Sequence, residues 1–175
     1  MIMRVRPAEP DDVEALTALA RQTYADAFGA SMSQADLEAH LDAALSLDAV
    51  ASMLRDDVIL LAEDGGALIG FVQLGDAPAH VSEQPGDQEL RRLYVTAHRQ
   101  RRGSGTALLR AALDHPRAVE APRIWLDVWV RNEGAQRLYR RHGFEVVGER
   151  TFEVASGAPT DVDLIMVRPQ REGSR

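Results

Sequence analysis

Glu89-Leu-Arg-Arg-Leu-Tyr-Val95, followed at once by Gln100-Arg-Arg-Gly-Ser-Gly105 and then Thr106-Ala-Leu-Leu-Arg-Ala-Ala-Leu113, is the stretch on which the fold turns. The first seven residues are rich in strand formers, and the last eight are helix formers with leucines three and four residues apart. Between them lies a turn with two glycines at G-x-G spacing. A strand that feeds a glycine turn into a helix start is suited to an anion. The first N–H groups of a helix have no partner within it, its dipole is positive at that end, and a glycine lets a phosphate approach the backbone where a Cβ would obstruct it.

Two blocks of the chain resemble a known family. Gln100, Gly103 and Gly105, just after the Leu93-Tyr94-Val95 strand, meet the pattern [Q/R]-x-x-G-x-[G/A] of the GCN5-related N-acetyltransferases. Farther on, Asn132-Glu-Gly-Ala135 through Tyr139, and then His142-Gly-Phe144, resemble that family's helix with its coenzyme-contacting Asn and acid Tyr. More loosely, Thr23-Tyr-Ala-Asp-Ala-Phe-Gly29 and the pair Trp125 and Trp129 look like the bacterial spermidine/spermine acetyltransferase branch. That branch often has an acidic residue after the second Trp, where this chain has Val130.

The resemblance implies a mixed, mostly antiparallel central sheet of about seven strands flanked by helices. It also implies acetyl-CoA as co-substrate. The cofactor would be met by Leu93, Tyr94 and Val95 along the strand, by Gln100, Arg101, Arg102, Gly103, Ser104, Gly105 and Thr106 in the turn, and by Asn132. Arg99, Arg101 or Arg102 can meet the ribose phosphate. The pantetheine amides can pair with the strand edge as an added strand would, and an N–H near Val95 is the candidate for stabilising the attacked thioester.

The acceptor is expected to be an amine. At pKa roughly 10.4, freeing its lone pair at neutral pH costs about 4.6 kcal/mol, so a group must take the proton. Glu89 is the best-placed carboxylate, with an edge-strand glutamate in solvent or paired with an arginine as the alternative. Tyr139 lies seven residues after Asn132, nearly two helical turns on, and can protonate the leaving thiolate; it can equally be core. Asn132 can also serve only as a helix N-cap. Tyr24, Phe28 and Trp129 are the candidate acceptor wall, and Trp125 and Trp129 share a strand face with Asp127 that would suit a cation. Each of these aromatics has packing as its other reading.

Composition narrows the chemistry. With 175 residues, of which 45% are hydrophobic and 27% charged, the chain is expected to form one globular domain over residues 1–170, with a tail at 171–175. Zero cysteines exclude thiolate catalysis and disulfides, and all 20 basic residues are arginine, which excludes a Walker lysine or a Schiff base. The net charge of −7 disfavours nucleic acid and mildly favours a small cationic partner. No apolar run approaches the roughly 18 residues needed to span a bilayer, and Met1-Ile-Met-Arg-Val-Arg6 lacks a signal-peptide core, so a cytoplasmic location and no membrane partner are expected. The five histidines show no metal-ligand spacing, and no metal is expected. A homodimer stays open as the assembly.

The remaining segments read as strand Met3–Arg6, a helix from a capping box at Asp11 and Glu14 to Gly29, helical stretches from Ser33 and over Ala49–Arg55, and strands Asp57–Glu63 and Ala67–Leu74 joined at Asp64-Gly-Gly66. Strand Arg123–Val130, helix Glu133–Arg141 and a final hairpin across Ser156-Gly-Ala-Pro159 complete the order. Within the enzyme reading the acceptor can be a polyamine, a protein N-terminus, an amino acid or an aminoglycoside. A non-catalytic acyl-CoA sensor is the reading from another class.

Overall fold

The computed structural model describes residues 3–78, 84–152 and 161–169. Seven strands follow the order β1-β2-β3-β4-β5-β7-β6: β1 Arg4–Pro7, β2 Val58–Asp64, β3 Ala67–Asp76, β4 Gln88–Val95, β5 Arg123–Trp129, β6 Glu145–Phe152 and β7 Asp161–Pro169. Six helices accompany them: α1 Val13–Phe28, α2 Gln34–Ala44, α3 Leu47–Asp56, α4 Ser104–Leu113, α5 Pro116–Glu120 and α6 Glu133–Arg141. The β1–β2, β2–β3, β5–β7 and β6–β7 pairs are antiparallel, and β4 and β5 pair in parallel through Gln88 with Ile124 and Glu89 with Trp125. The described residues fall into two compact units, one drawn from Met1–Leu74 and Arg92–Leu113, the other from Gly75–Arg91 and Asp114–Arg175.

In the first unit, α1 to α3 bury Leu16, Leu19, Ala20, Leu37, Leu41, Leu45 and Val50 against Ile59, Leu61 and Phe71 of the strands. β2 is buried almost without alternation, as a strand covered on both faces must be. Gly65 and Gly66 both have positive φ, 62° and 83°, which is what a two-residue hairpin with the strands' own twist requires, and Asp64 pairs with Ala67 across it. The capping box expected at Asp11 and Glu14 forms two residues earlier, at Glu9 and Asp12. The Glu9 N–H donates to the Asp12 carboxylate at 2.7 Å, and Pro10–Asp12 make a short 3-10 turn before α1. Arg6 fixes that turn by reaching Asp12 and Glu63, both at 2.7 Å. Ser33 caps α2 as expected, and Ser46, which carried no expectation, caps α3 and starts it two residues before the expected Ala49.

In the second unit, β5 alternates cleanly and buries Ile124, Leu126 and Val128. Val130, expected on the same face, lies past the end of the strand and is 39% exposed. α6 has the predicted bounds and buries Gln136 and Tyr139. Helix α5 is not anticipated by the sequence reading: the His115 side chain accepts an N–H from Arg117, and Pro116 opens the helix. The turn of the last hairpin at Ser156–Pro159 and the tail 171–175 lie outside the described residues.

Candidate active site

The turn between β4 and α4 is built from the backbone. Arg101 has φ +59°, an uncommon conformation for a residue with a side chain, and Gly103 has φ +90°. Left-handed residues in a tight turn aim their N–H groups into a concavity that suits anions. A Cβ built on Gly103 meets no atom within 4 Å, so the backbone angle demands the glycine and the space before it is open. α4 starts at the next residue, adding the unpaired N–H groups of a ten-residue helix. Arg101 and Arg102 are exposed there, while Ser104 is buried and can offer only its backbone. A pyrophosphate fits this donor set: open space, helix-end N–H groups and two guanidinium groups.

Four contacts hold the turn in shape. The Thr96 N–H donates to the Ile69 carbonyl at 2.9 Å, and the Gln100 side-chain amide donates to the Val95 carbonyl at 3.1 Å. Arg99 meets the buried Asp64 carboxylate at 2.5 Å, at the β2–β3 hairpin. Opposite Val95, a Cβ on Gly70 would stand 2.6 Å from the Tyr94 carbonyl oxygen, 3.1 Å from Leu108 and 3.2 Å from Val95, so only glycine lets β3, β4 and α4 meet this closely. Arg99, one of three candidates for the ribose phosphate, is therefore an anchor of the turn, and the Gln100 side chain bonds its own loop. Neither role is visible locally, because each depends on a partner far along or turned back in the chain. Gly70 did carry a signal, since a lone glycine inside a strand often marks a close backbone approach.

On β4, Leu93 and Val95 are half-buried, and the Tyr94 ring sits 5.8 Å from Phe71 in the core, leaving Tyr94 its backbone for any ligand. Arg92 donates to the Gln73 side-chain carbonyl at 2.6 Å, and Gln73, 1% exposed, donates to Asp57 at 2.6 Å. Tyr24 and Phe28, one turn apart on α1, have ring centroids 4.8 Å apart. On its other side Tyr24 stacks on His40 of α2 at 4.1 Å and 12°. Burial, and then the positive charge of Arg92, lower the His40 pKa below its usual value, so the imidazole is neutral at pH 7.

The second unit holds Glu89, Trp129, Asn132 and Tyr139. Glu89 is half-buried and ion-paired with Arg91 at 3.4 Å. The Asn132 side chain caps α6 by accepting the Ala135 N–H at 3.1 Å, which leaves its amide N–H groups as the part able to meet a ligand. Tyr139 is 7% exposed, with its ring edge-on to Phe144 at 5.7 Å. Gln136 had no sequence signal. It joins the helix to the end of β5, its amide donating to the Val130 carbonyl at 2.7 Å.

The tryptophan face differs from a bare cation-binding wall. The Trp125 indole N–H donates to Asp87 at 2.8 Å, and Arg123 lies over its ring at 4.9 Å. Arg131 lies over Trp129 at 5.7 Å, and Asp127 is paired with Arg150. Among the described residues no cluster of three or more His, Asp or Glu could hold a metal, and no helix is long and apolar enough to cross a membrane.

Comparisons with known proteins bear on the fold and the family. The fold is that of PaiA N-acetyltransferase from Thermoplasma acidophilum, solved with coenzyme A, at TM-score 0.76 and 21% identity over 97% of this chain and 99% of that one. YncA of Salmonella typhimurium, solved with acetyl-CoA, matches at TM-score 0.75 and 21% identity over 100% and 98%. An uncharacterized N-acetyltransferase of Mycobacterium tuberculosis is 31% identical over 159 residues, 90% of this chain and 97% of its own length. The spermine/spermidine N(1)-acetyltransferase of Bacillus subtilis is 33% identical over 89 residues, half of this chain and 59% of its own. The family model described as Acetyltransferase (GNAT) family matches residues 14–144, spanning the glycine turn between β4 and α4, β5 and α6, and the chain belongs to that family.

Proposed function

We propose that this chain transfers the acetyl group of acetyl-CoA to a primary amine by direct attack, with both substrates bound together. The observation that carries this reading is the turn at Arg101 and Gly103, whose left-handed backbone opens onto free space at the start of α4. PaiA, solved with coenzyme A, and YncA, solved with acetyl-CoA, support the same ligand.

When bound, acetyl-CoA supplies an acyl group on a leaving thiolate. The N–H groups from Arg101 to Thr106 and the exposed guanidinium groups of Arg101 and Arg102 bind its phosphates. Leu93 to Val95 offer a strand edge to its amide arm, and the Val95 N–H donates to the thioester carbonyl as charge grows on that oxygen. Asn132 contributes its amide N–H groups. Glu89 accepts the proton that the acceptor ammonium must lose, and Tyr139 donates one to the departing sulfur. Tyr24 and Phe28 in the first unit, and Trp129 in the second, are the candidate acceptor contacts.

Polyamines are the acceptors named for the Bacillus subtilis relative, which aligns with only half of this chain. Mass spectrometry of an amine panel incubated with acetyl-CoA tests the proposal. A gain of one acetyl group on at least one amine is expected; acetyl-CoA binding with no acetylated product would favour an acyl-CoA sensor instead.

A further inference from the structure

Gln136 shares a face of α6 with the two residues of that helix offered for the chemistry. At the helical period it lies about 40° around the axis from Asn132 and about 60° from Tyr139. It is 6% exposed, and it and Tyr139 are the residues that α6 buries. An apolar side chain would fill that position without the cost of burying an amide, so its bonds must account for the choice. Its N–H groups donate to the Val130 carbonyl at 2.7 Å and to the Trp129 carbonyl at 3.4 Å. Both carbonyls lie at the end of β5, which the Val130 N–H ties to the Val162 carbonyl of β7 at 3.0 Å.

Only Val130, Arg131 and Asn132 separate β5 from α6. The Asn132 N–H donates to the Trp129 carbonyl at 2.9 Å, and the Asn132 side chain accepts the Ala135 N–H at 3.1 Å. These bonds set where the helix starts. A second point, one turn farther in, is needed to set its roll about its own axis, and Gln136 supplies a directional one. A roll of about 20° carries a group about 6 Å from the axis through about 2 Å. A misplacement of about 1 Å can cost about a hundredfold in rate. Resting on the proposed acetyl transfer, we propose that Gln136 is a positioning residue: by bonding the carbonyls of Trp129 and Val130 it fixes the roll of α6 on β5, and so the directions in which Tyr139 offers its hydroxyl and Asn132 its amide. Strand, helix and all three side chains belong to the second unit. Gln136 gives no proton to the reaction; it acts through its two neighbours on the helix.

Double-mutant cycles separate this role from packing. Gln136→Met keeps the length of the side chain and removes its N–H donors. The substitution is made in the wild type, in Tyr139→Phe and in Asn132→Ala, each shown to be folded by circular dichroism, and Gln136→Leu replaces it if the Met variant does not fold. Rates at saturating acetyl-CoA, with an amine that the panel finds acetylated, give kcat, and calorimetry gives acetyl-CoA affinity. In the wild type kcat should fall about tenfold, and in Tyr139→Phe less than about twofold, because a residue that acts through another has nothing left to act on. Acetyl-CoA affinity should fall about threefold in the wild type and hardly change in Asn132→Ala. An unchanged kcat, or the same fractional loss with and without the Tyr139 hydroxyl, would overturn the proposal and leave Gln136 a packing residue. A Tyr139→Phe chain as fast as the wild type would overturn the acid role of Tyr139 and the kcat part of this proposal together. No acetylated amine from the wild type would instead overturn the transfer reading, and the titrations would then decide, with equal affinities for wild type and Gln136→Met overturning the proposal as well.

Discussion

The glycine turn of the first unit and the β5–α6 region of the second are built on different principles. The turn owes its shape to main-chain angles at Arg101 and Gly103 and to a glycine at position 70, and its donors are backbone N–H groups. The β5–α6 region owes its character to side chains and to what each has already bound: Asp87 on Trp125, Arg131 on Trp129, Arg150 on Asp127 and Asn132 on Ala135. A backbone site can be read from glycine spacing. A side-chain site changes meaning with every partner the fold brings to it.

The comparison breaks most sharply at Tyr139. If this region performs proton transfer, Tyr139→Phe should lower kcat about a hundredfold while acetyl-CoA affinity stays within a factor of two, as stopped-time assays and calorimetry would show. An unchanged kcat would make the residue core and leave the chemistry elsewhere. Next in size is Gly103→Val. A β-branched residue at φ +90° is strained by roughly 1–3 kcal/mol, so acetyl-CoA affinity should fall about tenfold or more without loss of the folded state. Equal affinity would mean that the turn is not the phosphate site.

Asp64→Asn probes whether the turn depends on its anchor. It removes the charge that holds Arg99, so unfolding free energy should drop by about 1–2 kcal/mol and acetyl-CoA affinity severalfold, with kcat preserved. A fall in kcat at saturating acetyl-CoA would show that the anchor reaches the chemistry as well. The smallest effect is at His40. Its folded pKa lies below 6.5, so the unfolded chain binds a proton first, and stability should decline as pH falls from about 6.5 toward the depressed folded value. Arg92→Gln removes one of the two causes, and the decline in melting temperature over that window should shrink. An identical decline would leave burial as the whole cause.

The same contrast governs how much could be read in advance. The bounds of β4, α4 and α6 lie within about two residues of those expected, because strand and helix formers, glycines and caps are local properties. The hairpin at Gly65-Gly66 was equally plain. Arg99 looked like a phosphate ligand because nothing near it in the chain announces Asp64, 35 residues earlier. Trp125 and Trp129 looked like a cation wall because the alternation of β5 gives their face and not the arginines that cover it. Asp11 and Glu14 have the right spacing for a cap, but Arg6, itself paired with Glu63, holds Asp12 in that role.

Calorimetric titration of acetyl-CoA into the wild-type chain and into Gly103→Val, each shown to be folded by its circular dichroism, tests the central claim most directly. The account predicts saturable one-to-one binding by the wild type and at least tenfold weaker binding by the variant. Wild-type protein that takes up no acetyl-CoA, or a variant that binds it as tightly, would contradict it.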